Sequence, residues 1–140
     1  MNTKTTVTKG SIVKREWHLI DLEGLTLGRA CTIMANYLMG KDKLLFSYHR
    51  DDGDYVIAIN ASKIKVTGKK LKDKMYHHHT AWSGHLKSFT LQEMMARDAR
   101  EVIMRGVSGM LPKNKLRDIR LRRLKVYVGA EHKFADKLAK

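Results

Sequence analysis

Residues 74 to 82, KMYHHHTAW, set three consecutive histidines inside a basic segment. Imidazoles so placed can ligate a metal, move protons or donate hydrogen bonds to an anion. In an extended chain alternate side chains share a face, so His77 and His79 face together and His78 points away. An H-x-H pair supplies two ligands, whereas a zinc site takes three or four, usually with carboxylates behind them. Asp73 is the only acid close by in sequence, and His49 or His85 would join only through folding. The same stretch carries Lys69, Lys70, Lys72, Lys74, Tyr76, Trp82 and Lys87. Cations interleaved with flat rings suit RNA, because charge meets phosphate and rings stack on bases. That reading accounts for the whole segment, where a metal site accounts for two residues of it. The histidines are therefore read as exposed donors and stacking rings, and protonation below about pH 6.5 would add to their pull on phosphate.

A second candidate is KNKLRDIRLRRLK, residues 113 to 125. Lys113, Lys115, Arg117, Arg120, Arg122, Arg123 and Lys125 stand against one acid, Asp118. A solvated helix normally mixes both signs as i,i+4 pairs. Here an external polyanion would relieve the repulsion, so a phosphate-binding role is expected. Leu116, Ile119 and Leu124 are expected to turn this helix toward a core.

Other residue patterns point away from catalysis. Asp51, Asp52 and Asp54 cluster in a turn, where carboxylates commonly bond the backbone; that role is preferred to metal binding. VTGKK, residues 66 to 70, resembles the end of a P-loop but lacks the upstream glycine and the following Ser or Thr. GLTLGR, residues 24 to 29, holds two glycines without the dinucleotide-binding spacing. No convincing nucleophile and base pair is evident. The single cysteine, Cys31, rules out an internal disulfide and a cysteine-based zinc finger, and its place on an apolar helix face makes it a small buried hydrophobe.

Charge is the loudest global signal. Of 140 residues, 28 are Lys or Arg and 14 Asp or Glu, a net charge of +14, which favours a polyanionic partner. An anionic membrane surface is the lesser alternative, since the 113 to 125 helix has too few apolar residues once its core contacts are used. No apolar run approaches the length of a membrane span. The Thr- and Lys-rich start, MNTKTTVTKGSIVKREW, lacks the apolar stretch of a secretory signal and reads as a flexible basic arm, with organelle targeting a weaker alternative. A protein working inside the cell is expected.

These residues need elements to position them. Trp17 to Leu22 suits a first strand. Leu27, Ala30, Met34, Tyr37 and Leu38 recur at helical spacing, with Thr26 as N-cap and Gly40 as stop. Residues 41 to 54 read as an exposed loop. Tyr55 to Asn60 is a nearly continuous apolar run, the pattern of a strand buried on both faces in a parallel sheet. Ile64 to Gly68 reads as a short strand or turn, and Lys69 to Lys87 as a long loop or hairpin. Thr90 and Glu93 form a capping box before a helix with Leu91, Met94, Met95, Ala99, Val102 and Ile103 on one face. Met94, Met95 and Met104 read as core filling. Gly106 and Gly109 are expected to loosen the chain and Leu111-Pro112 to break it. A last strand follows at Lys125 to Val128. The order argues an α/β fold with a mainly parallel sheet. Residues 1–14 are read as an arm, 15–130 as one domain and 131–140 as a tail.

Several motifs, in order, resemble one family. They are W-x-x-I-D at Trp17 to Asp21, G-x-T-L-G-R at Gly24 to Arg29 and L-x-G-K-x-K at Leu38 to Lys43. GDYVIAINASKIKVTGKK follows at Gly53 to Lys70, Y-H-H-H-T at Tyr76 to Thr80, G-M-L-P-K-N at Gly109 to Asn114 and LKVYVGAEH at Leu124 to His132. From about Lys14 to His132 the chain resembles bacterial-type large-subunit ribosomal protein thirteen, the universal uL13 family. The resemblance implies a three-layer α/β/α sandwich around a parallel sheet of about four strands. It implies a non-enzymatic constituent of the large ribosomal subunit in the bacterial cytoplasm, rather than in an organelle. Such a protein binds 23S-type rRNA, supports early assembly and touches neighbouring large-subunit proteins. No cofactor, metal, small-molecule substrate, membrane or second copy of the chain is implied. By motif position the RNA-facing parts are the loop with Lys41, Lys43, His49 and Arg50, the segments 69 to 87 and 113 to 125, and His132. The alternative from another class is a metal- or nucleotide-dependent enzyme acting on nucleic acid.

Two departures from the family pattern stand out. Gly84 is followed by His85 where the family commonly has a second glycine, and Leu116 by Arg117 and Asp118 where it commonly has Gly-Arg. A side-chain contact is expected to replace the lost close approach of backbone. Asp118 is expected to pair with Arg122 at i+4.

Overall fold

The computed structural model describes residues 13–44 and 46–138. Most of the expected N-terminal arm, residues 1–12, lies outside the described residues, as do Leu45, Ala139 and Lys140. In chain order the elements are β1 (Trp17–Asp21), α1 (Leu27–Met39), β2 (Tyr55–Ile59), a 3-10 turn (Ala61–Lys63), α2 (Lys70–Asp73), β3 (Met75–His79), β4 (Leu86–Thr90), α3 (Leu91–Met110), α4 (Leu116–Arg122), β5 (Leu124–Val126) and α5 (Ala135–Leu138).

The sheet is parallel, in the order β1-β2-β5. The apolar run of β2 makes it the central strand, and Val56, Ile57 and Ala58 are fully buried, as a strand covered on both faces requires. Helices α1 and α3 pack together over one face. On the other face Trp17 is stacked between Tyr55, with ring centroids 4.2 Å apart, and Phe134, at 5.1 Å. The segment expected as a tail thus folds back over the sheet with α5. The result is an α/β sandwich whose sheet has three strands, not about four. Lys65 forms only a single parallel bridge with Thr26, so the segment Ile64 to Gly68 never joins the sheet.

Helix α1 buries Ala30, Cys31, Met34, Ala35 and Leu38 on one stripe. It stops at Gly40, whose left-handed conformation (φ 76°) returns its N–H to Asn36 and Tyr37 carbonyls. Thr26 starts the helix but makes no side-chain capping bond. The capping box of α3 is complete. The Thr90 hydroxyl accepts from the Glu93 N–H at 3.2 Å, and the Glu93 carboxylate accepts from the Thr90 N–H at 2.8 Å.

The glycines do not loosen α3, which runs through Gly106 and Gly109 to Met110 before Leu111-Pro112 breaks it. Gly106 serves packing instead: a Cβ there would lie 2.7 Å from Cys31 Sγ on α1. The kink falls at Asp98, which leaves helical geometry (φ −156°, ψ 100°). Its carboxylate accepts from the Arg100 N–H at 2.9 Å and so caps the second half of the helix. Bonds from the Arg100 side chain and N–H, outweighing slight burial, hold this carboxyl below the usual range.

Two apolar clusters result. The main one joins α1, β2 and the second half of α3 through Ala99, Ile103 and Val107. A smaller one holds Leu91, Met94 and Val102, with Tyr76 and Phe89 packed on it. Cys31 is buried as expected, and burial pushes its thiol up to about 11, which leaves it a poor nucleophile at neutral pH.

Candidate nucleic-acid interface

The histidine segment is one arm of an antiparallel hairpin, with β3 and β4 in register from Met75 opposite Thr90 to His79 opposite Leu86. Thr90 ends β4 and caps α3, so the hairpin is fixed directly to the helix. Alternation decides which side chains face α3. Tyr76 and Phe89 pack inward, and guanidinium groups cover both rings, Arg105 at 5.7 Å from the Tyr76 ring and Arg97 at 5.8 Å from Phe89. Lys74 lies 5.3 Å from the Tyr76 ring as well. Tyr76 is thus a half-buried anchor of the hairpin, not the free stacking ring read from the sequence.

His77 and His79 do share the outer face, and all three histidines are exposed. The Nδ1 of His77 sits 2.8 Å from the hydroxyl of Ser88, its cross-strand partner, which fixes the ring and turns Nε2 to solvent. Trp82 stands at the turn, 76% exposed. Gly84 takes φ +77° in that turn, and the His85 carbonyl accepts from the Thr80 N–H. Lys69, Lys70, Lys72, Lys74 and Lys87 are exposed around the hairpin.

The arginine-rich helix is sorted differently from its sequence reading. Arg120 and Arg123 point inward, 1% and 6% exposed. Arg123 donates to both oxygens of Asp51, at 2.6 and 2.5 Å. The Nε of Arg120 lies 3.7 Å from the same carboxylate, and its terminal nitrogen donates to the Arg50 carbonyl at 2.8 Å. Burial, partly offset by Asp51, weakens the hold of Arg120 on its proton. Ile119, expected in the core, is 45% exposed, because Asp51 draws the arginine face of α4 inward. Lys113, Lys115 and Arg122 are exposed, Arg117 and Lys125 partly so. Asp118 lies 3.6 Å from Arg117, not against Arg122. At 75% exposure the carboxylate gains too little from an i+4 pair in water to hold both side chains in place.

The three loop aspartates serve side chains more than backbone. Asp51 also meets Arg15 at 3.2 Å, and Asp52 meets Arg50 at 2.6 Å. Asp54 accepts from Lys43, from the Glu16 N–H and from His18 Nε2. Burial pushes the Asp54 carboxyl up, but these bonds together hold it below the usual range. Lys43 also donates to the Lys14 carbonyl at 2.6 Å. Of the loop cations, Lys41 and His49 are exposed, whereas Lys43 and Arg50 are engaged. His132 is half-buried beside Tyr127, and its Nδ1 accepts from the Phe134 N–H at 3.3 Å. Gly53 permits this loop to press on α1, since a Cβ there would fall 1.8 Å from the Leu38 carbonyl oxygen.

The charges are therefore partitioned. Three acids, Asp51, Asp52 and Asp54, are consumed inside the fold, and many of the exposed cations without a carboxylate partner among the described residues lie in two places. One is α4 and its approach, with Lys113, Lys115 and Arg122. The other surrounds α2 and the hairpin, where Arg29, Lys65 and Arg97 join the lysines already named. Those three were not picked out from the sequence, because they lie on separate elements and only folding unites them. Among the described residues no group of three His, Cys, Asp or Glu side chains is placed to hold a metal ion. No helix among them is long and apolar enough to cross a membrane.

Comparison with known proteins agrees with the motif resemblance. A family model described as ribosomal protein L13 matches residues 15–133. The chain is 50% identical over 131 residues to the large ribosomal subunit protein uL13 of Stenotrophomonas maltophilia, covering 94% of this chain and 92% of that protein. The uL13 protein of Ruthia magnifica is 49% identical over 129 residues, 92% of this chain and 91% of its own length. That of Clostridioides difficile is 48% identical over 132 residues, 94% and 92%. The chain belongs to the ribosomal protein L13 family.

Proposed function

We propose that this protein is a non-catalytic structural constituent of the large subunit of a bacterial ribosome. It binds large-subunit rRNA, supports early subunit assembly and lies against neighbouring large-subunit proteins in the cytoplasm. A single domain, residues 15–130, carries the binding. The observation that supports this most is the partition of charge: Asp51, Asp52 and Asp54 turn inward onto Arg120, Arg123, Arg50 and Lys43, and exposed cations without a carboxylate partner among the described residues face solvent around a rigid body. Such a body acts by shape. Its sandwich holds the hairpin, α2, Lys41, His49 and the outer side of α4 in fixed register against folded RNA. Arg120 and Arg123 leave the proposed phosphate-facing set, and Tyr76 supports it from behind.

The test is a high-salt sucrose gradient of source-cell lysate, followed by binding of the purified chain to large-subunit rRNA across a salt series. The protein should remain with the large subunit after the wash. The logarithm of affinity should fall with the logarithm of salt by roughly 0.7 to 0.9 per phosphate contact. A protein that runs free at the top of the gradient and binds no rRNA at low salt overturns the proposal.

A further inference from the structure

A groove of about 890 Å³ opens beside α2. Its walls are the first turns of α1, the strip Lys65 to Thr67, α2 and the C-terminal end of α3. The floor is aliphatic, formed by Leu27, Cys31, Val66, Leu91 and Met110. The rim is cationic, with Arg29, Lys65, Lys70 and Lys74, and one acid, Asp73. Among the described residues none of these four cations meets a carboxylate. The side chains of Arg29, Lys65 and Lys70 meet no hydrogen-bond or ion-pair partner among the described residues, and Lys74 rests on the Tyr76 ring.

An apolar floor ringed by unneutralised cations fits a ligand with a flat, weakly hydrated part and an anionic part. A nucleotide has that chemistry: the base covers the floor and its phosphates meet the rim. The volume falls within the ~300–1,000 Å³ usual for ligand clefts. The rim does not close around a single small molecule. Lys69, next to Lys70 at the start of α2, adds an exposed cation beyond the groove, which suits successive phosphates better than one, whereas Lys72 lies on another side of α2 beside Thr90 and Glu93. We infer that the groove between α1, α2 and the end of α3 receives an unstacked nucleotide of a single-stranded segment of large-subunit rRNA. This rests on the rRNA-binding proposal and adds Arg29 and Lys65 to the residues that carry it.

Gly28 allows a clean test. It lines the groove within α1, and a Cβ there would meet nothing within 4 Å. Gly28→Glu therefore keeps the fold and favours the helix, because glycine is a poor helix former and an acid suits the first turn. It also places a carboxylate where the phosphates would lie. The experiment is base-specific chemical probing of large-subunit rRNA bound to the full chain, with affinity measured in parallel. The wild type should protect one or two bases of an unpaired segment. Gly28→Glu should expose those bases and weaken binding about tenfold or more, and Arg29→Gln combined with Lys65→Gln should do the same. Lys113→Gln combined with Arg122→Gln should lower affinity and leave that protection in place. If Gly28→Glu binds with unchanged affinity and an unchanged footprint, the groove assignment is overturned and the rRNA proposal stands. If the wild type binds no rRNA, both fall. Saturable binding of guanosine monophosphate or an acidic peptide to the groove, with the RNA footprint unaltered, overturns it in favour of that occupant.

Discussion

Asp51→Asn removes one negative charge from among three guanidinium groups and changes little else in shape. Arg123 meets no other carboxylate among the described residues, and Arg120 feels only a weaker second counter-charge, from Asp52. The Arg120 side chain is 2% exposed and that of Arg123 7%, against 17% for Asp51. Breaking a buried ion pair by neutralising one partner costs about 3–5 kcal/mol, chiefly because the remaining charge stays desolvated and unpaired. The Arg15 pair, with its arginine 38% exposed, contributes at most about 1 kcal/mol. Asparagine still accepts a hydrogen bond, so the lower end applies, and we predict a loss of about 3 kcal/mol at neutral pH. That is a large share of the ~5–15 kcal/mol typical of a domain, and a fall in Tm of roughly 10 °C. Urea unfolding followed by circular dichroism reads it directly, with Arg15→Gln as the exposed control. Adding Arg123→Met to Asp51→Asn should recover part of the loss, a coupling of about 1–3 kcal/mol between the two sites. A cost below about 1 kcal/mol for Asp51→Asn would refute the buried network. So would an Arg123→Gln variant of unaltered stability whose rRNA binding has a shallower salt slope, since that is how a solvent-facing phosphate contact behaves.

Three further outcomes are expected. Gly53→Ala should cost more than about 3 kcal/mol in urea unfolding, the upper range of overpacking, because the atom 1.8 Å from the new methyl is a backbone oxygen with little room to move; near-normal stability would show that the loop can lift off α1. The folded Asp54 carboxyl titrates below its unfolded value, so its stabilisation is complete above the ordinary carboxylate range and disappears as pH falls through the folded value. Asp54→Asn should therefore destabilise the protein at pH 7 and flatten its loss of stability as pH falls below the ordinary carboxylate range; an acid limb as steep as that of the wild type would contradict this. The His77→Ala, His79→Ala double variant should bind rRNA more weakly than the wild type in the same salt series; unchanged affinity would remove these histidines from the phosphate contact.

Much of the architecture was legible because it is written in short-range pattern. The run Tyr55 to Ile59, the stripe from Ala30 to Leu38, the Gly40 stop and the Thr90–Glu93 box each lie within one element, and each appears where its spacing places it. What was not legible depends on residues distant in sequence. Arg123 and Asp51 are 72 positions apart, so nothing local distinguishes an arginine turned inward from one that faces solvent. The rule that a helix of unmixed positive charge seeks an external anion failed for two of its arginines, because their anion was internal. The kink at Asp98 was missed for a related reason. Its carboxylate sits in the middle of an apolar periodicity that continues on both sides, and the pattern reads as one helix. The missing fourth strand reflects a segment, Ile64 to Gly68, with strand-like residues but only one partner residue to bridge.

The break at Asp98 has a consequence for how order is distributed. The buried residues of the first half of α3, Leu91 and Met94, belong to the small cluster beneath the hairpin, whereas Ala99, Ile103 and Val107 belong to the sheet. The hairpin and the first two turns of α3 therefore pack as a second apolar unit, tied to the sandwich through Leu27, Met95 and Val102 and through a helix junction that is already capped. That unit has the smaller cluster, so its amide hydrogens should exchange sooner than those of the sheet. Under the proposed rRNA contact, binding would hold this unit closed and slow that exchange.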